Sequence, residues 1–301
     1  MTPRYEKPLG LLLAVLSAVG FASTFVAGTA LTREHGVSPL VLSFLRFSVA
    51  GGVMFAWESL ARNRRARLFA VSLADWCRIA WLGPVGTSIM AWCVFMGCAH
   101  VSTANASMAD ALVPLLIFGF ASMQMCRIAF ADLACLMCGF VGALLVMQIV
   151  GANGLALQSF SLGDVYVLFG AVTWAVYTVC GKGAILRLGV SAFTTWTMLV
   201  GALAAGAVLP FGDFAWPTDL RAWLLTFALS LFSTLMPFWT WNAAHKYLPM
   251  SVLSVTAYFI PVVTIGLAYL FLGESSTWLQ ALGAILVILS ATIETRRHET
   301  V

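Results

Sequence analysis

Ten apolar runs, each close to the length of a membrane-crossing helix, divide this 301-residue chain from end to end. They fall at about 9–31, 39–60, 76–98, 102–123, 132–150, 163–183, 192–211, 222–244, 250–272 and 276–294. A helix needs roughly 20 residues to span the hydrocarbon core. Inside that core each backbone N–H and C=O must be satisfied within the protein, which leaves helices as the reading for such runs. The longest polar connections are Ala61–Asp75, Gly151–Leu162 and Gly212–Arg221, too short to fold as a separate soluble domain. Only 9% of residues are charged, against about 25% in a soluble domain. The sequence therefore predicts an all-α integral membrane protein. Met1–Lys7 with the first run has the look of a signal peptide, but nine further runs follow and the run recurs later, so it is read as a retained span.

Lysine and arginine placement orients the runs. With the N-terminus inside, 13 basic residues fall on the inner side and only Arg33 and Arg221 on the outer; the sixteenth, Arg46, lies within a run. This bias places both termini in the cytoplasm. The net charge of +4 comes from short loops, so nucleic acid is not expected as a partner. The stretch RNRRAR at 62–67 reads first as a topology anchor and second as a contact for membrane lipid headgroups. The seven cysteines, including the pair Cys135 and Cys138, read as packing residues. No metal site and no cofactor are expected.

The chain repeats itself. Ser107 and Pro114 recur as Ser254 and Pro261 at an offset of 147, Ala18–Ala22 as Ala171–Ala175 at 153, and Ala99-His100 as Ala244-His245 at 145. Offsets near 150 imply five spans followed by five, so the domains are expected at 1–150 and 151–301. Five is odd, so the second repeat must run with opposite topology. Inverted repeats are a transporter signature, because two similar halves can exchange conformations around a midplane site.

The chemistry concentrates in Ser102–Met123, where Thr103, Ser107, Asp110 and Pro114 follow helical spacing and predict one polar face. A carboxylate at membrane depth is costly and is kept for a pathway, a proton site or a partner charge. The counterpart position of Asp110 is Ala257, so only one half carries the acid. Arg46 is the other charge within a run. It lies seven residues below the outer end of the second run, roughly 10 Å at 1.5 Å per residue, and Asp110 lies at a similar depth. The two are expected to form either a structural clamp or a working pair in which Arg46 holds a substrate carboxylate and Asp110 couples to protons. Ser107, Trp174, Tyr177, Trp241, Ser254 and Tyr258 complete the expected substrate-binding set, and Pro114 and Pro261 are the expected hinges. His100 and His245 read as interfacial caps or proton relays.

These residues resemble the drug/metabolite transporter superfamily, EamA type. The resemblance rests on Trp174-Ala175, Ser254, Pro261, Leu272-Gly273-Glu274 and Gly283, with Arg46-Phe47 and Pro114 in the first half. Where the second half has Gly273-Glu274 the first has Cys126-Arg127, so that position receives no transport role. The resemblance implies ten helices around a central cavity. It also implies export of small metabolites, such as amino acids, across the bacterial inner membrane. Alternatives are efflux of organic cations or drugs, a passive channel, or a receptor; a homodimer is left open. An enzyme is not expected, since no nucleophile–base set or metal-ligand spacing sits at one depth.

Overall fold

The computed structural model describes residues 6–60, 62–101, 103–107, 112–125, 130–146, 150–151, 154–155, 161–272 and 278–297. Six helical stretches are long and apolar enough to cross a membrane: Lys7–Glu34, Pro39–Ser59, Leu73–His100, Leu162–Leu188, Val190–Phe211 and Leu220–Ala244. The protein is a multi-pass, helical membrane protein. The first stretch is α1 (Glu6–Thr29), closed by a π turn over Ala30–Glu34, and the second is α2 (Pro39–Ser59). The third joins α4 (Leu73–Gly83) to α5 (Met90–His100) through a π turn at Pro84–Ile89. The fourth and fifth are α9 (Leu162–Leu188) and α10 (Val190–Val208). In the sixth, α11 (Leu220–Ser230) meets α12 (Met236–Ala244) through a π turn at Leu231–Leu235.

Two stretches differ from the sequence reading. Ala61–Asp75 was expected as a loop, yet α3 (Arg62–Phe69) forms there and turns Leu68 into the protein. Its end is held by the Trp196 indole N–H, which donates to the Leu68 carbonyl at 2.8 Å. In the fourth run the structure describes α6 (Thr103–Ala106) and α7 (Val113–Met125), with Pro114 in the first turn of α7; residues 108–111, which carry Asp110 of the expected polar face, lie outside the described residues. Proline is tolerated there, because a first-turn N–H has no intrahelical partner to lose. The ninth run, expected as one span, breaks into α13 (Met250–Thr256) and α14 (Phe259–Leu272). Pro261 occupies the first turn of α14, and Ile260 N–H donates to the Ala257 carbonyl that the proline leaves without its usual donor. The remaining helices are α8 (Phe130–Val146) and α15 (Trp278–Arg297), with a two-residue strand pair at Val150–Gly151 and Gly154–Leu155. Asp110, Cys126-Arg127 and Gly273-Glu274 lie outside the described residues.

The packing is selective. α2 lies along α10, and α8 along α15; α1 packs on α12 and α14, while α9 packs on α5 and α7. One end of the bundle is tied by Asp75, whose carboxylate accepts from Arg187 at 2.7 Å and from Arg78 at 3.2 Å. At the opposite end Asp219 meets the His35 ring at 3.0 Å. The backbone N–H of Ala222, with His35, holds the Asp219 carboxyl below the usual carboxylate range. Close approach of α5's preceding turn to α10 needs Gly201, since a Cβ there would collide with Thr87 Oγ1 and crowd Ser88 and the Gly83 carbonyl. Gly52 faces open space. Gly201→Ala should therefore cost about 1–3 kcal/mol through overpacking, read as a lowered melting temperature in detergent. Gly52→Ala should leave the melting temperature unchanged or raise it. Equal effects at the two sites would show that the α10 contact is not tight.

Candidate functional site

A cavity opens in the middle of the bundle, lined by Phe21, Thr24, Arg46, Met90, Val113, Trp174 and Ile260, among others. Each wall follows from the helix that supplies it. Val113 and Ile260 are the residues immediately before Pro114 and Pro261, so the first turns of α7 and α14 present matching apolar residues to the cavity. Phe21 and Trp174, counterparts in the two repeats of sequence, meet edge to face at 5.1 Å. The free volume is about 40 Å³. That is room for a few waters at most and well below the roughly 300 Å³ at which small-molecule sites begin.

Arg46 is the polar centre of this site. Its side chain is 1% exposed, and burying a charge is tolerated only when hydrogen bonds replace the lost water. The partners come from the π turn between α11 and α12. Pro237 has no N–H, so the carbonyl four residues earlier, Ser233, lacks its helical donor. Two outside donors converge there. Thr24 Oγ1 donates to the Ser233 carbonyl at 3.0 Å, and Arg46 Nη2 donates to it at 3.2 Å. Arg46 Nε donates to Thr234 Oγ1 at 2.8 Å, and that hydroxyl donates onward to the Leu229 carbonyl at 2.8 Å. The guanidinium also lies 4.9 Å from the Phe47 ring centre and 5.3 Å from that of Phe95, both favourable faces for a cation. Among the described residues no carboxylate pairs with Arg46.

Behind Trp174 stands an aromatic block. Trp174 stacks on Tyr177 at 5.3 Å, and Phe238 and Trp241 close in at 5.1 and 5.9 Å. Tyr177 is fixed from behind: Asn242 Nδ2 donates to its hydroxyl at 3.1 Å and to Thr194 Oγ1 at 2.9 Å. Of the expected substrate residues, Arg46 and Trp174 line the cavity, while Tyr177 and Trp241 form its second layer. Ser107 is buried at the end of α6. Tyr258 is turned toward α8, donating to the Leu136 carbonyl at 2.8 Å over the space left by Gly139. Asp110 and the Ser254 side chain lie outside the described residues, so the proposed Arg46–Asp110 pair has no geometry here. His100 is a cap, its ring meeting the Met96 carbonyl at 2.8 Å; His245 is fully inside the protein. Thr24 and Ser233 are missed by stripe counting. Their signal is Pro237, which marks the Ser233 carbonyl as the one needing an outside donor such as Thr24.

The site is thus a buried cationic centre with aromatic walls inside a helical membrane protein. Comparison with known proteins narrows this. The model of the EamA-like transporter family matches residues 8–148 and again 161–295. The chain belongs to the EamA-like transporter family, a family of transporters and not of enzymes. It is 26% identical to a probable terminal-alkyne amino-acid exporter of Streptantibioticus cattleyicolor, over 94% of this chain and 92% of that one. It is also 26% identical to the pseudopaline exporter CntI of Pseudomonas aeruginosa, over 93% and 94%. The aromatic amino acid exporter YddG of Ancylobacter novellus is 25% identical, over 82% and 85%. A solved crystal structure at 23% identity shares the fold, with a TM-score of 0.74 over 98% of this chain and 99% of the other.

The Arg46 cradle makes a direct prediction. Thr234→Val keeps the shape but removes the acceptor of Arg46 Nε, and should cost about 1.5–3 kcal/mol, as for a hydrogen bond to a charge. Thr226→Val removes only a bond within its own helix, to the Ala222 carbonyl, and should cost under about 1 kcal/mol. Thermal melts of the two variants in detergent compare them. A harmless Thr234→Val would mean that Arg46 is held elsewhere.

Proposed function

We propose that the chain exports a small, carboxylate-bearing metabolite of the amino-acid class across a bacterial inner membrane. The observation that carries this reading is a single buried guanidinium facing a central cavity with aromatic walls. A planar guanidinium suits a carboxylate, and an apolar wall suits a side chain. Full-length relatives named as exporters of amino acids and of pseudopaline point the same way. A cationic drug would meet the charge of Arg46 in the cavity lining, which weighs against cation efflux.

The proposed mechanism is alternating access between two inverted five-helix repeats, 1–150 and 151–301, with both termini cytoplasmic. Several observations support the repeats. The family model matches once in each half. The packing partners exchange consistently: α1 with α12 and α14 is answered by α9 with α5 and α7. The π turns at Pro84–Ile89 and Leu231–Leu235 interrupt corresponding stretches. The ties Asp75–Arg187 and Asp219–His35 join corresponding elements at opposite ends. Pro114 and Pro261 act as the paired hinges in this scheme. Substrate binds Arg46 against Trp174, with Tyr177 and Trp241 behind, and Asp110 carries the coupled proton.

Proteoliposome transport of a panel of L-amino acids under an imposed pH gradient tests the scheme. Uptake should saturate and follow the gradient. Arg46→Ala should weaken transport of a carboxylate substrate about tenfold or more, the scale of one lost charge-assisted hydrogen bond of 1.4 kcal/mol or above. Asp110→Asn should abolish dependence on the gradient while the protein still inserts. Non-saturating flux that ignores the gradient would make the protein a channel, and gradient-driven flux unchanged in Asp110→Asn would remove Asp110 from the coupling.

A further inference from the structure

A second polar cavity lies at the end of the bundle formed by the start of α1, α3, the α9–α10 junction and the end of α12. Its volume is about 330 Å³, and its lining includes Arg64, Arg67 and Lys246 together with Glu58. Three cations against one carboxylate leave the cleft with a surplus of positive charge. Arg64 Nε is buried without a hydrogen-bond partner among the described residues, while its guanidinium lies 4.5 Å over the Trp57 ring. The cleft does not end there. Glu58, Ser191 and Trp239 are shared with an adjoining groove of about 480 Å³. The walls of that groove are apolar, built from Met54, Trp57, Leu231, Phe232, Leu235 and Met236. Trp57 and Phe232 are 56% and 67% exposed and belong to the candidate spans Pro39–Ser59 and Leu220–Ala244.

We infer that this continuous cleft and groove bind one anionic phospholipid, with its phosphate among Arg64, Arg67 and Lys246 and an acyl chain along the groove. A soluble anion would use the cleft and leave the groove empty; a neutral lipid would use the groove and waste the charge. Only an anionic lipid matches both parts. The groove's wall is the π turn Leu231–Leu235, whose opposite face holds Arg46 through Ser233 and Thr234. Lipid occupancy therefore bears on the same five residues that position the cavity's cation, and it stabilises that turn.

The test needs neither substrate nor transport, so its outcome is independent of the proposed export. The purified full chain in detergent is titrated with phosphatidylglycerol, with phosphatidylcholine of the same acyl chains and with glycerol 3-phosphate. Thermal melts and native mass spectrometry are the readouts. Phosphatidylglycerol should raise the melting temperature and stay bound; the other two should do neither. Arg67→Ala and Lys246→Ala should each weaken phosphatidylglycerol binding about fivefold, from ~1 kcal/mol per basic side chain at a lipid surface. Arg65→Ala, outside the cleft lining, should change nothing. Leu231→Ser, in the groove, should weaken the lipid as well. Equal stabilisation by phosphatidylcholine would overturn the headgroup assignment, and equal stabilisation by glycerol 3-phosphate would overturn the lipid. A preference for phosphatidylglycerol that survives Arg67→Ala and Lys246→Ala would place the lipid elsewhere.

Discussion

Pro237 removes the i+4 backbone donor of the Ser233 carbonyl, and much of the site follows from that gap. Hydrocarbon offers no water to fill it. Pro237 creates the deficit, the π turn re-aims the carbonyl, and Thr24 from α1 and Arg46 from α2 supply the donors. The arrangement solves two problems together. An unsatisfied carbonyl and an unsatisfied guanidinium would each be expensive in the same place. Set against each other, the carbonyl gains its donors and the guanidinium gains two acceptors, with Thr234 taking the Nε–H of Arg46. The sealing of this region by Phe47 and Phe95 then leaves a charged group in a nearly dry cavity, where its attraction for an incoming anion is strongest.

The same rule explains the other interruptions. Thr87 Oγ1 donates to the Gly83 carbonyl at 2.6 Å across the π turn before α5, and Ser43 Oγ donates to the Ser88 carbonyl at 2.9 Å. Hydroxyls thus gather where helices deform, and their spacing reflects carbonyls in need rather than one continuous polar stripe. Glycines serve the complementary purpose. Gly201, Gly86 and Gly20 let backbone or ring approach where a Cβ would collide, with Thr87, Tyr177 and Pro237 respectively. In a membrane, where apolar surface gains little by leaving lipid, such close contact is what holds helices together.

Much of this was legible in the residues. Of the ten runs read from length and hydropathy, six match long crossings among the described residues closely, because both measure a bilayer thickness that a spanning helix must match. Arg46 was legible as a lone charge in an apolar run, and it is buried at the cavity. The break before Pro261 was not, because 3.6-residue counting carries a stripe through a position where the helix stops. The helix α3 was hidden by its charge: five of its eight residues are polar, and what holds it is the Leu68 contact with Trp196, far away in sequence. Tyr258 looked like a cavity residue from its neighbours Ser254 and Pro261. Its direction depends on Gly139, which leaves space for the ring in another helix. Direction around a helix axis is set by such distant partners, and a single chain read alone shows them only where a proline or a glycine betrays them.

The asymmetry within a repeated scaffold bears on how a carrier of this kind would work. α2 brings Arg46, whereas α10, which packs along it, has no basic residue and instead presents Thr194 and Thr197 to the neutral network of Tyr177 and Asn242. The cation therefore comes from the first half of the chain, but the groups that hold it come from the second. In the proposed exchange of the two halves, relative motion must either carry Ser233 and Thr234 along with Arg46 or break those bonds. Breaking them in an empty cavity would strand a guanidinium and a carbonyl together. A bound carboxylate could take over the guanidinium, leaving Thr24 to satisfy the carbonyl. A ligand shifts a conformational equilibrium only through its different affinity for the two states, and this exchange of partners supplies such a difference at Arg46, in the cavity lining.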